Sequence, residues 1–223
     1  MIPLGFLKGV PSPVQYIGNA GKYVNGADGS AITITFNGST QEGDYLMCVT
    51  TVDDATSTNT PTGWNLIYDR GFPPYSKTRI FSKTYTSADG NTVYVDPGFG
   101  QVTASVLTFR GVGSVSGFAN NGVEPVGSTL TIAGGTSTED NVFTIFGFGH
   151  DAPKDIAIAS NWTNANISSA SELIDISTSN HYDGGFAVWG GYKLTAGATG
   201  NTTVTVDGSV QGTQTFGFFF YPT

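Results

Sequence analysis

The chain has 223 residues, 39% of them hydrophobic and 12% charged, with 31 glycines and a formal net charge of −8. The apolar share supports a packed core and excludes disorder. Sparse charge, abundant glycine and a wealth of Thr, Ser, Asn, Val and aromatics make a poor recipe for helices and a good one for strands. Nine Lys and Arg against seventeen Asp and Glu supply no clustered basic surface, so neither nucleic acid nor anionic membrane is expected as a partner.

Segment 1–30 is expected to be an N-terminal arm. It carries Ile2, Leu4, Phe6 and Leu7, then Pro11 and Pro13, then a glycine-rich stretch to Gly29. Residues 1–8 are apolar but short, lack a positive start and contain Pro3, so they are not read as a signal peptide. Residues 31–36 alternate with period two, the mark of a half-buried strand, as do 92–95, 128–132 and 203–206. Residues 45–49, 105–109, 142–146 and 216–221 are more continuously apolar and read as strands buried on both faces. Residues 170–176 are expected to be a loop or a single turn. No apolar stretch reaches the ~18 residues of a membrane span. The single cysteine, Cys48, excludes an internal disulfide and cysteine-rich zinc sites; inside its apolar run it is expected to be buried and inert.

The most informative feature is an internal repeat. Residues 31–38 match 129–135, and Gly43-Asp44 before a strand matches Asp140-Asn141. Asp53-Asp54-Ala55 matches His150-Asp151-Ala152, and Gly63-Trp64-Asn65 matches Asn161-Trp162-Thr163. Residues 92–96 match 203–207, and 106–109 match 218–221. The growing offset places extra loop residues in the second copy between Trp162 and Trp189. A sheet of four or five strands cannot bury its face alone, so the two copies should pack together. The expected fold is all-β: a two-sheet, jelly-roll-like sandwich built from an internal duplication. Residues 31–223 form its single domain, with halves at about 31–111 and 128–221, and the arm precedes it.

The ordered set Gly43-Asp44, Gly63-Trp64, the aromatic strand at 81–85, the alternating strand at 92–95 and Phe109-Arg110-Gly111 resembles a family of jelly-roll-like β-sandwich domains. These domains occur in tailed-phage and prophage tail fibres, minor tail proteins and other virion-surface proteins. The resemblance implies a structural or adhesive role on a virion and brings no catalytic residues with it. On that reading the chain is non-catalytic and binds no cofactor. It meets other virion proteins through the arm at Ile2, Leu4, Phe6 and Leu7, forms a homo-oligomer with a trimer as the expected state, and presents a surface to host glycans. The alternative is a carbohydrate-binding module.

The residues themselves offer few routes to chemistry. Glu42, Glu124, Glu139 and Glu172 lie before strands or in loops and form no evident acid pair for glycoside hydrolysis. His150 and His181 lack a nucleophile elbow, and His150 is expected to be a solvated loop residue. Asp53, Asp54 and Asp151 are weak candidates for a calcium site at a loop end, without the spaced acidic loop that calcium favours. Trp64, Trp162, Trp189 and Tyr75 are candidate aromatic platforms for a sugar ring; packing at two equivalent corners is the competing explanation for Trp64 and Trp162.

Overall fold

A computed structural model describes residues 13–24, 29–53, 58–73, 76–98, 100–118, 122–123, 128–151, 157–178, 184–207 and 210–223. The first half runs β1 (Gln15–Asn19), β2 (Tyr23–Val24), β3 (Ile32–Thr35), β4 (Tyr45–Asp53), β5 (Asn65–Phe72), β6 (Ser76–Thr84), β7 (Thr92–Val95) and β8 (Val102–Arg110). The second runs β9 (Val112–Phe118), β10 (Gly122–Val123), β11 (Thr129–Ile132), β12 (Thr136–Ser137), β13 (Val142–Asp151), β14 (Ala159–Thr163), β15 (Ser168–Thr178), β16 (Gly184–Lys193), β17 (Gly197–Ala198), β18 (Thr202–Val206) and β19 (Gln211–Pro222). One short 3-10 turn covers Ser87–Asp89.

Two antiparallel sheets form the body. The first has the order β1-β8-β4-β6-β5, with β2 following β1 along the same edge of β8. The second has β9 and β10 along one edge of β19, then β13, β16 and β15. The two orders are the same when each strand is replaced by its counterpart. Packing between the sheets is reciprocal as well: β4 lies on β16 and β13 on β6, while β5 lies on β19 and β15 on β8.

The all-β sandwich expected from the repeat is present, and it carries two further layers. Strands β3 and β7 pair over the outer face of the first sheet. Strands β11, β18 and β14 cover the outer face of the second. The doubly apolar runs follow from this stacking. In β4, Met47 and Val49 enter the central core while Leu46, Cys48 and Val52 enter the outer core beneath β3 and β7. In β13, Phe143 and Ile145 face the centre, and Phe146 and Phe148 face the cover formed by β11, β18 and β14. Cys48 is fully buried, and burial pushes its thiol well above the usual range.

The central core is aromatic at one end and polar at the other. Phe109 and Phe220 stack with ring centroids 4.3 Å apart, and Phe143 closes on Phe109 at 5.8 Å. At the opposite end, Thr78 donates to Gln214 Oε1 (2.8 Å), Gln214 Nε2 donates to Ser76 Oγ (2.9 Å), and Thr103 donates to the Gly184 carbonyl (3.1 Å). Each of these side chains is buried and joined to a partner, which is the condition for burying polar groups at low cost. Gly149 allows the close approach there, since a methyl group on it would overlap the Thr78 hydroxyl.

Two sequence expectations meet a different outcome or placement. Residues 170–176 are not a loop: they lie in β15, where Ile174 and Ile176 enter the central core. Two register shifts against β16, at Ser168/Ser171 and Glu172/Ile174, break the alternation that would have marked a strand. Within segment 1–30, Val14 is fully buried in the central core, and β1 and β2 extend the first sheet. Ile2, Leu4, Phe6 and Leu7 lie outside the described residues.

One ion pair joins two distant pieces of the ordered set, Gly43-Asp44 and Phe109-Arg110-Gly111. Asp44, 1% exposed, accepts from Arg110 Nε and from a second guanidinium nitrogen, each at 2.8 Å. It also accepts from the Gln41 amide (2.8 Å). Replacing Arg110 with Ala leaves a buried carboxylate without its cation. The expected loss is about 2 kcal/mol, the usual cost of stranding a buried charged acceptor beside a partly exposed partner, read as a lower urea midpoint at pH 7. An unchanged midpoint would show that the pair merely decorates the strand end.

Candidate binding groove

The cover strand β7 pairs with β3 on one edge only, from Ile32↔Val95 to Thr35↔Thr92. The Phe36 amide donates to the Asn91 carbonyl at 2.8 Å. Antiparallel alternation then turns the peptide groups of Val93 and Val95 toward β3, and those of Thr92 and Tyr94 away from it. That second edge carries no strand among the described residues. Among the described residues the loop before β5 meets it with one backbone hydrogen bond, from the Asn59 amide to the Asp96 carbonyl (2.8 Å). Beyond that point the chain turns aside through buried Pro61 and through Gly63, whose φ of 79° is a conformation glycine adopts freely. A groove of about 300 Å³ opens between the loop and β7.

The groove has an apolar floor and a polar rim. Trp64 forms the floor; its ring is only 8% exposed and packs edge-on against Phe36 at 6.2 Å. Phe36 in turn meets Tyr85 at 6.0 Å. Tyr94, 62% exposed, stands at the mouth. On the rim, Lys83 Nζ lies 2.6 Å from Asp89 Oδ1, and the Thr86 amide and hydroxyl donate to Asp89 Oδ2. The Lys83 ammonium, helped by the Thr86 donors, holds the Asp89 carboxyl down at about 2. The pair is therefore charged and mutually engaged across the ordinary pH range. Asn59 Nδ2 donates to Asp96 Oδ2 (3.3 Å), which closes the other end. Such a lining suits a ligand with one apolar side and regularly spaced polar groups.

The tryptophans singled out from sequence sit in two separate places. Trp64 lies in the groove floor, as described. Trp189 is 7% exposed, and half-buried Trp162 lies parallel to it, with ring centroids 6.1 Å apart and planes 3° from parallel. Trp162 Nε1 donates to Glu172 Oε2 (3.1 Å). Tyr75 and Asp54 lie outside the described residues, as does the side chain of Asp53. Asp151 ends β13, and no cluster of three or more metal-ligating side chains occurs among the described residues. Tyr94 escaped the sequence reading, although its signal was there: it is the aromatic on the polar side of an alternating Thr-Val-Tyr-Val strand.

His150 is not a solvated loop residue. It lies in β13, fully buried, 5.9 Å from the Phe148 ring centroid, and neither ring nitrogen has a hydrogen-bond partner among the described residues. Burial pushes its pKa down to about 3. Asp175 is displaced the other way, up to about 6, chiefly by burial. Its Oδ2 accepts from the Ile158 and Ala159 amides (2.9 and 2.7 Å), which fastens the approach to β14 onto β15. Both groups are used inside the fold and away from the groove lining.

Comparison of the chain with protein-family models, with curated proteins and with solved structures finds no match.

The buried imidazole has a measurable consequence. Below about pH 6.5 the unfolded chain takes up a proton at His150, and the folded protein does not until about pH 3. Its contribution therefore removes stability as pH falls through that window, by up to about 1.4 kcal/mol per pH unit. Asp175 opposes this between about pH 6 and 3.8, where the folded state holds the proton more tightly. In urea unfolding at pH 7, 5.5 and 4.5, His150→Gln should lose less stability on acidification than the parent. Parallel pH profiles for the two proteins would refute the assignment.

Proposed function

We propose that the chain is a non-catalytic structural protein exposed on the surface of a virion, in a tail fibre, at a tail tip or as a head decoration. The observation that supports this reading most directly is the Asp44–Arg110 pair. It joins the Gly43-Asp44 and Phe109-Arg110-Gly111 pieces of the motif on which the resemblance to virion-surface domains rests. The motif thus has a folding role, as expected where a family shares architecture rather than chemistry. The common strand order of the two sheets and their reciprocal packing support the duplication reading of the jelly-roll-like body. Further acidic groups serve the fold too: Asp69 pairs with Lys77 (2.9 Å) and with Arg79 (2.6 Å). A homotrimer joined to other virion proteins through segment 1–30 completes the proposal.

The test is the place of the protein on intact particles. Gold labelling or imaging should find it on the outer surface of head or tail. Deleting residues 1–13, which stops short of buried Val14, should preserve the thermal transition and abolish incorporation. A deletion variant that still decorates particles would overturn the role given to this segment.

A carbohydrate-binding module is the second reading, favoured by exposed Tyr94 beside Asn59 and Asp96 at the groove mouth. On a glycan array, binding lost in Tyr94→Ala would support the module or an adhesive fibre. Silence across the array would favour head decoration.

A further inference from the structure

We propose that the open edge of β7 is an acceptor for an extended strand, supplied by residues 2–6 of a neighbouring copy of the chain. This goes beyond the virion role proposed above and does not require it.

The second half of the molecule shows what fills the corresponding place. There β18, the counterpart of β7, pairs with β11 on one edge and with β14 on the other. The shared starting point is visible in both halves. Asn59 N–H meets the Asp96 carbonyl, and Asp207 N–H meets the Ile158 carbonyl at 3.0 Å. From there β14 continues along its partner, with Ala159 opposite Val206 and Ser160 opposite Thr205. It carries Trp162 against Phe148 (5.8 Å) and Trp189, and so seals the outer core. In the first half the chain leaves after the single contact. The peptide groups of Thr92 and Tyr94 face the groove, and Trp64 and Phe36 line its floor. An added strand would answer both needs at once, as β-augmentation does at exposed sheet edges.

The sequence holds a stretch of the required pattern in residues 2–6, which lie outside the described residues. Ile2, Leu4 and Phe6 alternate with Pro3 and Gly5. Laid antiparallel to β7, the three apolar side chains descend toward Trp64 and Phe36. Pro3 and Gly5 then fall opposite Tyr94 and Thr92. Gly5 can exchange two hydrogen bonds with Thr92, and the Pro3 carbonyl can accept from Tyr94 N–H. Proline's missing donor costs one bond, which is tolerable on an outermost strand. Residues 2–7 carry no charge, and the rim charges Lys83 and Asp89 already satisfy each other. The donor comes from a second copy because Val14 is buried on the central face of the first sheet, whereas the groove lies on its outer face. A segment leaving Val14 therefore starts on the wrong side of its own sheet. Each copy gives one strand and receives one, a head-to-tail arrangement that closes into a ring if the rotation permits.

The experiment uses the full chain and two substitutions, one on each side of the contact. Phe6→Asp spoils the donor and leaves the acceptor intact. Tyr94→Pro removes an edge N–H from the acceptor and leaves the donor intact. By size-exclusion chromatography with light scattering, the parent should be oligomeric and each variant monomeric. An equimolar mixture of the two should recover a species of twice the monomer mass, because one intact donor then meets one intact acceptor. Recovery also shows that both variants fold. A peptide of residues 1–12 should dissociate the parent oligomer. A monomeric parent, a variant that keeps the parent's mass, or a mixture that stays monomeric would each overturn the proposal. Association indifferent to Tyr94→Pro, together with saccharide binding, would assign the groove to a sugar instead.

Discussion

The packing of two sheets face to face governs everything else in this molecule. Because each sheet also carries a cover, its central strands must be apolar on both faces. That requirement leaves little room for charge in β4, β8, β13 and β19, whose described side chains are almost entirely buried. It also explains the glycines inside strands. At Gly149 the opposing sheet supplies Thr78 where a side chain would stand, and at Gly217 the Phe118 ring does the same from the neighbouring strand β9. Sparse charge in these strands and the glycines within them thus both follow from close packing on two faces. The polar end of the interface, built on Gln214, Ser76 and Thr78, follows from it too. There the hydroxyls and the amide bond to one another, which lowers the cost of placing them in a doubly buried layer.

The halves share a plan and differ in how they finish it. The first fastens the start of β4 to the end of β8 through Asp44 and Arg110. The second has Asn141 at the corresponding place, and the preceding residue, Asp140, accepts instead from the Ala196 amide at 2.6 Å. Among the described residues the first covers its outer core with two strands, the second with three. An aromatic residue therefore meets different surroundings in each half. Trp162 arrives on a paired strand and stacks on Trp189, whereas Trp64 lies under an open groove.

Much of the fold was legible because alternation and turn chemistry survive even in strands buried on both faces. The covers β3, β7, β11 and β18 were plain in their Thr-Val and Thr-Ile alternation. The central strands were plain in their apolar runs. What escaped had a physical reason in each case. β15 is an outer strand interrupted by two bulges, so its pattern reads as neither helix nor strand. β1 is a short edge strand with a register shift between Tyr16 and Gly18, and its buried anchor is the single residue Val14. His150 follows an apolar run and precedes an aspartate, a setting that suggests a strand end facing water. Only the cover layer shows why it is enclosed. Tyr94 was hidden by its own strand, since an alternation argument attends to the inward residues and passes over the outward one.

The open groove comes down to the few residues after a contact that both halves share. Two positions beyond Ile158 stands Ser160, which pairs with Thr205 and keeps β14 in register. Two positions beyond Asn59 stands Pro61, which has no amide hydrogen to give to a neighbouring strand. The chain there turns instead: Trp64 N–H closes onto the Pro61 carbonyl at 3.0 Å, and Gly63 supplies the left-handed residue that the turn needs. The same step that takes the loop off β7 sets Trp64 beneath the gap. The free edge and its apolar floor are therefore coupled products of one local sequence, Pro61-Thr62-Gly63-Trp64. A reversion toward a strand-forming loop would close the edge and cover the floor together. That linkage makes the groove an element of the fold in its own right, rather than a gap left by imperfect packing.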